Sequence, residues 1–164
     1  MYGEGGGSRR DRIVANAIAA VRRNFSAQLA KGDCRVWTGP WTFGGQGWTR
    51  ELRADVTLIW KVPSPIPETA RLAIVVLDEA EPVPDLLLRL DLFRATQVLA
   101  HLLVAETARP RILSHANSSS GPWHGFSVFD RIEDAIWLHH LGAVIGLREF
   151  YFGIFPEAGS GFGT

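Results

Sequence analysis

Residues 51–62, with the sequence ELRADVTLIWKV, alternate between apolar and mostly polar side chains without a break. The apolar positions are Leu52, Ala54, Val56, Leu58, Trp60 and Val62, and the others are Glu51, Arg53, Asp55, Thr57, Ile59 and Lys61. Successive side chains of a β-strand point to opposite faces, so the pattern predicts one long strand with a dry face and a largely charged face. At ~3.3 Å per residue this strand would span roughly 40 Å, about twice the length of a usual strand. We therefore expect an element that reaches beyond a single small core.

The size and composition of the chain are typical of a one-domain globular protein. It has 164 residues, of which 46% are hydrophobic and 21% are charged, which is enough for a proper hydrophobic core. The 17 basic and 17 acidic side chains cancel, so charge gives no strong signal for nucleic acid or for an anionic membrane. The sequence has no apolar run near the ~20 residues of a membrane span and no secretory signal at its N-terminus. We expect synthesis in the cytoplasm and no membrane partner.

The other patterns predict an α+β fold. Residues 11–31 have helical spacing, and residues 34–38 indicate a short strand. The loop 39–47 contains four glycines and a proline, and the apolar run 72–77 predicts a strand that is covered on both faces. We expect an antiparallel or mixed sheet with one long helix packed on it and the N-terminal helix at its margin.

Residues 85–106 carry two patterns, since the first leucines alternate as in a strand and the later ones recur as in a helix. No Gly or Pro separates the patterns, so we expect one helix capped by Asp85, while 85–93 as a strand stays open. Leu86, Leu90 and Phe93 lie in a segment that is apolar nearly all round. We expect this segment to be buried on several sides or covered by a partner.

The sequence of the C-terminal third predicts short strands and one short helix. We expect strands at 111–115 and 123–129, separated by a turn at 117–122. A capping-box pattern at Asp130 predicts a short helix to about residue 141, and residues 143–155 are β-like. We expect a single domain at 11–155, with flexible ends at 1–10 and 156–164.

The sharpest catalytic hypothesis is a Mg-dependent nuclease. Asp55 lies on the predicted long strand, and Asp78 and Glu79 end the next strand, which resembles the PD-(D/E)XK nuclease arrangement. Two carboxylates on adjoining strands could hold Mg²⁺ against a phosphate. That family also has a lysine two residues after the second acid, whereas this chain has Ala80 and Glu81 there. A solvated strand face followed by an acidic turn explains the same residues.

Other motifs for catalysis or metal binding are weak. The histidines form no HExxH motif and no pair at i, i+4 spacing. The single cysteine, Cys34, excludes an intrachain disulfide and a Cys-rich zinc site. The sequence therefore predicts no catalytic residue, metal or cofactor apart from the nuclease hypothesis.

Aromatic residues crowd the glycine-rich loop. Trp37, Trp41, Phe43 and Trp48 lie in or beside it, where exposed rings could stack on sugars or bases or anchor a protein partner. The neutral charge favours a protein partner in that case. The alternative is a loop that folds over the end of the sheet, with a Trp filling a gap. Trp41 and Trp48 are thus candidate interaction residues of a binding module.

The order of elements resembles the tail terminator and tail-completion (neck) proteins of long-tailed bacteriophages, including the Mu-like group. The resemblance covers roughly 11–155 through a helix, a strand ending in WTG, the long strand WTRELRADVTLIWKVP, a helix and a closing strand, LGAVIGLREFYFGIFP. It implies a structural virion protein that forms a hexameric ring with itself, contacts neighbouring tail-tube or connector proteins and needs no cofactor.

In such a ring the charged strand face would meet the neighbouring subunit through complementary pairs. The residues of that face are Glu51, Arg53, Asp55 and Lys61. The sequence therefore favours an assembly protein, with the nuclease and the aromatic-loop binding module as alternatives.

Overall fold

The structure, a computed structural model, describes residues 8–45, 48–61, 69–78, 99–116 and 127–155. The helices in these ranges are α1 (Arg9–Asn24), α2 (Ser26–Lys31) and α3 (Leu147–Phe150). The strands are β1 (Cys34–Thr38), β2 (Trp41–Gly45), β3 (Trp48–Leu52), β4 (Val56–Trp60), β5 (Thr69–Val76), β6 (His101–Ala105), β7 (Ile112–Ala116), β8 (Ser127–Phe129), β9 (Ala135–Leu138) and β10 (Ala143–Gly146). The predicted α+β class is confirmed.

The strands form one main sheet and two hairpins. The main sheet has six strands in the order β1-β4-β5-β6-β7-β8. Its β5 and β6 run parallel, and its other neighbouring strands are antiparallel, so the sheet is mixed. β2 pairs with β3, and β9 pairs with β10. Residues 77–100 connect the parallel pair and are long enough for the crossover that such a pair requires.

Helix α1 packs on one face of the main sheet, although the sequence pattern placed it at the margin. Its buried side chains are Ile13, Ala17, Ala20 and Val21. They share a core cluster with residues of the sheet and of the C-terminal hairpin, among them Val56, Leu58, Ile74, Val76, Ile136 and Ile145. A second cluster on the other face includes Val75, Leu99, Leu102 and Val104. Within the described ranges, no helix is long and apolar enough to cross a membrane.

The single strand predicted for 51–62 is wrong, because two strands in different sheets occupy this stretch. β3 pairs with β2, whereas β4 begins at Val56 in the main sheet. Asp55 separates them: its N–H donates to the carbonyl of Ile74 at 2.9 Å, and its carboxylate accepts the N–H of Val76 at 2.7 Å. The short link between the strands preserves the alternation, so the alternation alone could not show the break.

The charged face predicted for this stretch is also absent from β4. Thr57 and Ile59, which were expected on that face, are buried, because both faces of the main sheet are covered. Arg53 is exposed before the strand, and Lys61 is exposed after it. The four residues expected to form one charged interface therefore lie on β3, on the link and beyond the end of β4.

The helix predicted for 85–106 is wrong at its C-terminal end, where the chain forms β6. All five positions of β6 are buried between β5 and β7. A strand covered on both faces is continuously apolar, so its pattern does not differ from that of a buried helix. Residues 79–98, which include Glu79 and the apolar positions Leu86, Leu90 and Phe93, lie outside the described residues.

The helix predicted after Asp130 is also wrong. Residues 131–134 form a turn, in which the N–H of Arg131 donates to the carboxylate of Asp134 at 3.1 Å. β9 follows, with buried Ile136 and Leu138 alternating with exposed neighbours. The segment after Asp130 therefore forms a turn that leads into a strand.

Several shorter predictions are confirmed. The strands predicted at 34–38 and 111–115 are β1 and β7, and most of the apolar run 72–77 lies in β5. The helix predicted for 11–31 is α1 and α2, which a break at Phe25 separates. The predicted loop 39–47 instead contains β2, and β10 with α3 occupies 143–150. The turn predicted at 117–122 lies outside the described residues.

A cluster of three histidines joins the β9–β10 hairpin to the main sheet. The ring centroid of His101 lies 5.2 Å from those of His139 and His140, which lie 4.1 Å from each other. The N–H of His140 donates to Nε2 of His101 at 3.3 Å. Burial lowers the pKa of His101 to about 4, with smaller contributions from the two other histidines and from Arg71. His101 is therefore neutral at pH 7.

We expect the free energy of unfolding to fall by up to about 3 kcal/mol as the pH is lowered from about 6.5 to about 4. His101 titrates near 6.5 when unfolded and near 4 when folded, so between these values the unfolded chain binds the extra proton and protonation favours unfolding. Urea denaturation at several pH values should show a smaller slope in His101→Gln than in the parent. The exposed neighbour supplies the control, since His139→Gln should keep most of the slope. An unchanged slope in His101→Gln would contradict the assignment.

Candidate active site around Asp55

Asp55 lies where three strands of the main sheet meet. The N–H of Gly39, which follows β1, donates to the carbonyl of Asp55 at 3.4 Å. The N–H of Asp55 in turn donates to the carbonyl of Ile74 in β5 at 2.9 Å. The end of β1, the start of β4 and the end of β5 are therefore adjacent at this end of the sheet.

Both carboxylate oxygens of Asp55 are engaged. Nη2 of Arg10 in α1 donates to Oδ1 and forms an ion pair, while the N–H of Val76 donates to Oδ2 at 2.7 Å. Nε of Arg10 also donates to the carbonyl of Val76 at 3.2 Å. Arg10, Asp55 and Val76 thus form a closed network. The Asp55 side chain is 16% exposed, so a partner for its charge is needed.

Asp78 emerges from the same end of the sheet. β5 ends at Val76, and the next residue, Leu77, still donates its N–H to the carbonyl of Ala105 at 2.9 Å. Asp78 follows and is exposed. The fold therefore brings Asp55 and Asp78, two of the acids in the nuclease hypothesis, to one end of adjoining strands. The third acid, Glu79, is outside the described residues.

As arranged in this structure, the described residues do not fit a divalent cation. Mg²⁺ requires several oxygen ligands in near-octahedral geometry. Asp55 already has a guanidinium on one oxygen and a backbone amide on the other. Across the described ranges, no group of three or more His, Cys, Asp or Glu residues is placed to hold a metal ion.

Sequence reasoning missed Arg10, although the chain contained a signal for it. Arg9, Arg10 and Arg12 lie in the first turn of α1, where the helix dipole disfavours cations. Each is held by a contact distant in sequence: Arg9 donates to the carbonyl of Thr107, Arg10 pairs with Asp55, and Arg12 donates to the carbonyl of Gly153. Several arginines at the start of a helix were therefore a signal that each has a partner elsewhere in the fold.

The aromatic candidates lie on the other face of the sheet at this same end. Trp41, at the start of β2, is half-buried and packs against the core cluster on the face opposite α1. Trp37 contacts Trp41 edge-on, with the ring centroids 5.5 Å apart. The preceding residue in β1, Val36, packs against the cluster on the α1 side, so Trp37 points to the other face. The loop therefore does fold against the sheet through Trp41. Trp48 lies in β3, and its side chain is outside what the structure describes.

The remaining interaction candidates lie on different elements. Glu51 lies in β3 and Lys61 follows β4, so they belong to different sheets or their ends. Arg53 is exposed on the link between these strands. Asp55 is engaged by α1 and β5 rather than presented to a neighbouring subunit. The four residues therefore do not lie on one strand as expected, and their role in an interaction stays a prediction.

Comparisons with known proteins show the fold. No protein-family model and no curated protein matches the chain, while four chains of solved structures match. One is the crystal structure of "a putative nuclease belonging to DUF820" from Anabaena variabilis, with a TM-score of 0.65 and 9% sequence identity over 88% of this chain and 80% of that chain.

This finding corrects the functional expectation from the sequence. The resemblance to phage tail terminators and neck proteins is wrong, because the structural match is to a protein described as a nuclease. The order of elements that suggested the resemblance depended on a long strand that does not exist. The expected ring, tail partners and virion location had no other support. This chain has the fold of the matched nuclease-like structure.

Proposed function

We propose that the protein is a nuclease that acts on the phosphodiester backbone of DNA or RNA, with Asp55 as the acidic residue of its site. The observation that carries the proposal is the position of Asp55, which is largely buried where the start of β4 meets the end of β5. A carboxylate is seldom placed there without a partner or a function, because burying its charge is costly.

Two further observations support the proposal. Asp78 follows β5 at the same end of the sheet, as the PD-(D/E)XK arrangement requires of a second acid. The fold is also that of a solved structure whose name contains the word nuclease. Perturbed or buried acids in such positions are candidates for function, although structural ion pairs produce them too. The ion pair with Arg10 therefore has to be tested alongside cleavage.

The test is to incubate the full chain with labelled single-stranded DNA, double-stranded DNA and RNA, in Mg²⁺, in Mn²⁺ and in EDTA. We expect cleavage of at least one of the three substrates, and the reactions in EDTA show whether it depends on a divalent cation. Asp55→Asn should abolish it, because the amide removes the negative charge while its oxygen still accepts a hydrogen bond. Circular dichroism should confirm that this variant is folded.

Asp33→Asn is the matched control, because Asp33 is an exposed aspartate near the opposite ends of β1 and β4. It should cleave like the parent chain. The proposal is overturned if no substrate is cut under any condition, or if Asp55→Asn cuts as fast as the parent.

A double-mutant cycle measures how strongly Arg10 and Asp55 depend on each other. We expect Arg10→Met and Asp55→Asn to be coupled by about 1 kcal/mol in the free energy of unfolding, because the pair is only partly buried and solvent screens it. Urea denaturation at pH 7 gives the values. Arg12→Met is the control, since Arg12 is an exposed arginine in the same turn of α1, and it should show no coupling to Asp55→Asn. Additive effects of the Arg10 and Asp55 changes would exclude a stabilising pair.

A further inference from the structure

We infer that Arg10 takes the place of a divalent cation beside Asp55 and keeps such a cation out. Its guanidinium binds two oxygen atoms at this end of the sheet that would otherwise serve a cation as ligands. Cation binding can be measured whether or not the chain cuts nucleic acid, so this role of Arg10 goes beyond the proposed function.

The two oxygen atoms belong to Asp55 and Val76. Nη2 of Arg10 donates to Oδ1 of Asp55, whose Oδ2 accepts the N–H of Val76 at 2.7 Å. Nε of Arg10 donates to the carbonyl oxygen of Val76 at 3.2 Å. Carboxylate and backbone carbonyl oxygens are the ligands that hard cations such as Mg²⁺, Ca²⁺ and Mn²⁺ take in proteins. One guanidinium therefore bridges a pair of oxygens whose chemistry suits a divalent cation.

The helix that carries Arg10 holds it in this position. α1 is anchored on the sheet by its buried side chains. In the same turn as Arg10, Arg9 donates to the carbonyl of Thr107 at 3.4 Å and Arg12 donates to the carbonyl of Gly153 at 2.7 Å. A guanidinium also stays protonated at physiological pH, so its charge is permanent. A cation could therefore reach the two oxygens only by breaking both contacts of Arg10.

The charge around the two oxygens also opposes a divalent cation. An ion bound to Oδ1 of Asp55 would lie beside the guanidinium of Arg10, and like charges repel strongly at such a short distance. Arg9 and Arg12 bring two more positive charges to the same turn, and the N-terminus of α1 adds the positive end of the helix dipole. Asp78, at the same end of the sheet, is exposed, so solvent and salt screen its charge. While Arg10 is in place, a divalent cation is therefore repelled.

Removal of the guanidinium should open a cation site. In Arg10→Met, Oδ1 of Asp55 and the carbonyl of Val76 lose their donors, and the largely buried carboxylate loses its opposite charge. A divalent cation can then supply that charge, which a buried carboxylate needs. Methionine is unbranched and adaptable, so it can keep part of the packing of the arginine stem. We expect Arg10→Met to bind Mn²⁺ about tenfold more tightly than the parent chain.

Electron paramagnetic resonance measures this binding, because Mn²⁺ loses the sharp signal of the free ion when it binds to the protein. MnCl₂ is titrated into the full chain without nucleic acid. The parent chain and Asp55→Asn should give the same titration, since Mn²⁺ bound elsewhere, for example at the exposed His139 and His140, is common to both. Arg10→Met should bind additional Mn²⁺, and the double variant Arg10→Met/Asp55→Asn should lose it. Circular dichroism checks that each variant is folded.

Arg12→Met is the matched control, because it removes one positive charge from the same turn of α1 and leaves both contacts of Arg10 in place. It should bind Mn²⁺ like the parent chain. Equal gains in the Arg10 and Arg12 variants would overturn the role of Arg10, as would a folded Arg10→Met that binds no additional Mn²⁺. If Arg10→Met does not fold, the parent chain decides, since Mn²⁺ binding that Asp55→Asn removes would also overturn it.

The Mn²⁺ titration and the cleavage assay separate this role of Arg10 from the proposed function. Mn²⁺ binding at Asp55 of the parent chain, together with cleavage that Asp55→Asn abolishes, would reject the role of Arg10 and leave the nuclease standing. Equal titrations of the parent chain and Asp55→Asn, with additional binding in Arg10→Met and no cleavage of any substrate, would reject the nuclease and leave the role of Arg10 standing.

Discussion

The ion pair between Arg10 and Asp55 is the contact on which one end of the fold depends. The Asp55 side chain is largely buried, and without partners the loss of its hydration would oppose folding. Arg10 supplies the opposite charge, and the N–H of Val76 supplies a hydrogen bond. Because Arg10 also bonds the carbonyl of Val76, one network joins the first turn of α1, the start of β4 and the end of β5. The same interactions therefore hold the carboxylate in place and dock α1 on the sheet.

Much of the fold could be predicted from local patterns, and the failures share one physical cause. The helical spacing in α1 was predicted because its buried side chains follow the periodicity of the helix. The break at Asp55 was missed because its reason is a hydrogen bond to Val76, which is distant in sequence. His101–Ala105 was missed because core clusters on both faces of the sheet bury every position of the strand, which removes the alternation that would identify it. Tertiary neighbours, and not local preference, decided both cases.

The site could be predicted only in part, for the same reason. Asp55 and Asp78 were found because carboxylates on adjoining strands are visible in the sequence, and the fold does bring both to one sheet end. Their assignment to a cation site took no account of Arg10, which is 45 residues from Asp55 along the chain. Pairing across that distance changes the chemistry of the carboxylate, since its charge is compensated and both its oxygens are engaged. A list of acidic positions cannot distinguish a metal ligand from a structural ion pair.

The topology explains why Asp55 and Trp37 lie at the same end of the main sheet. β1 and β5 both run antiparallel to β4, so their ends and its beginning converge, and the residues that follow β1 lie beside those that precede β4. Trp37 and Asp55 therefore lie at the same end of the sheet, although the Asp55 carboxylate is engaged by α1 on one face and Trp37 contacts Trp41 on the other. In a chain with no net charge, long-range attraction contributes little to binding a polyanion. The proposed nuclease would therefore have to bind nucleic acid through short-range contacts.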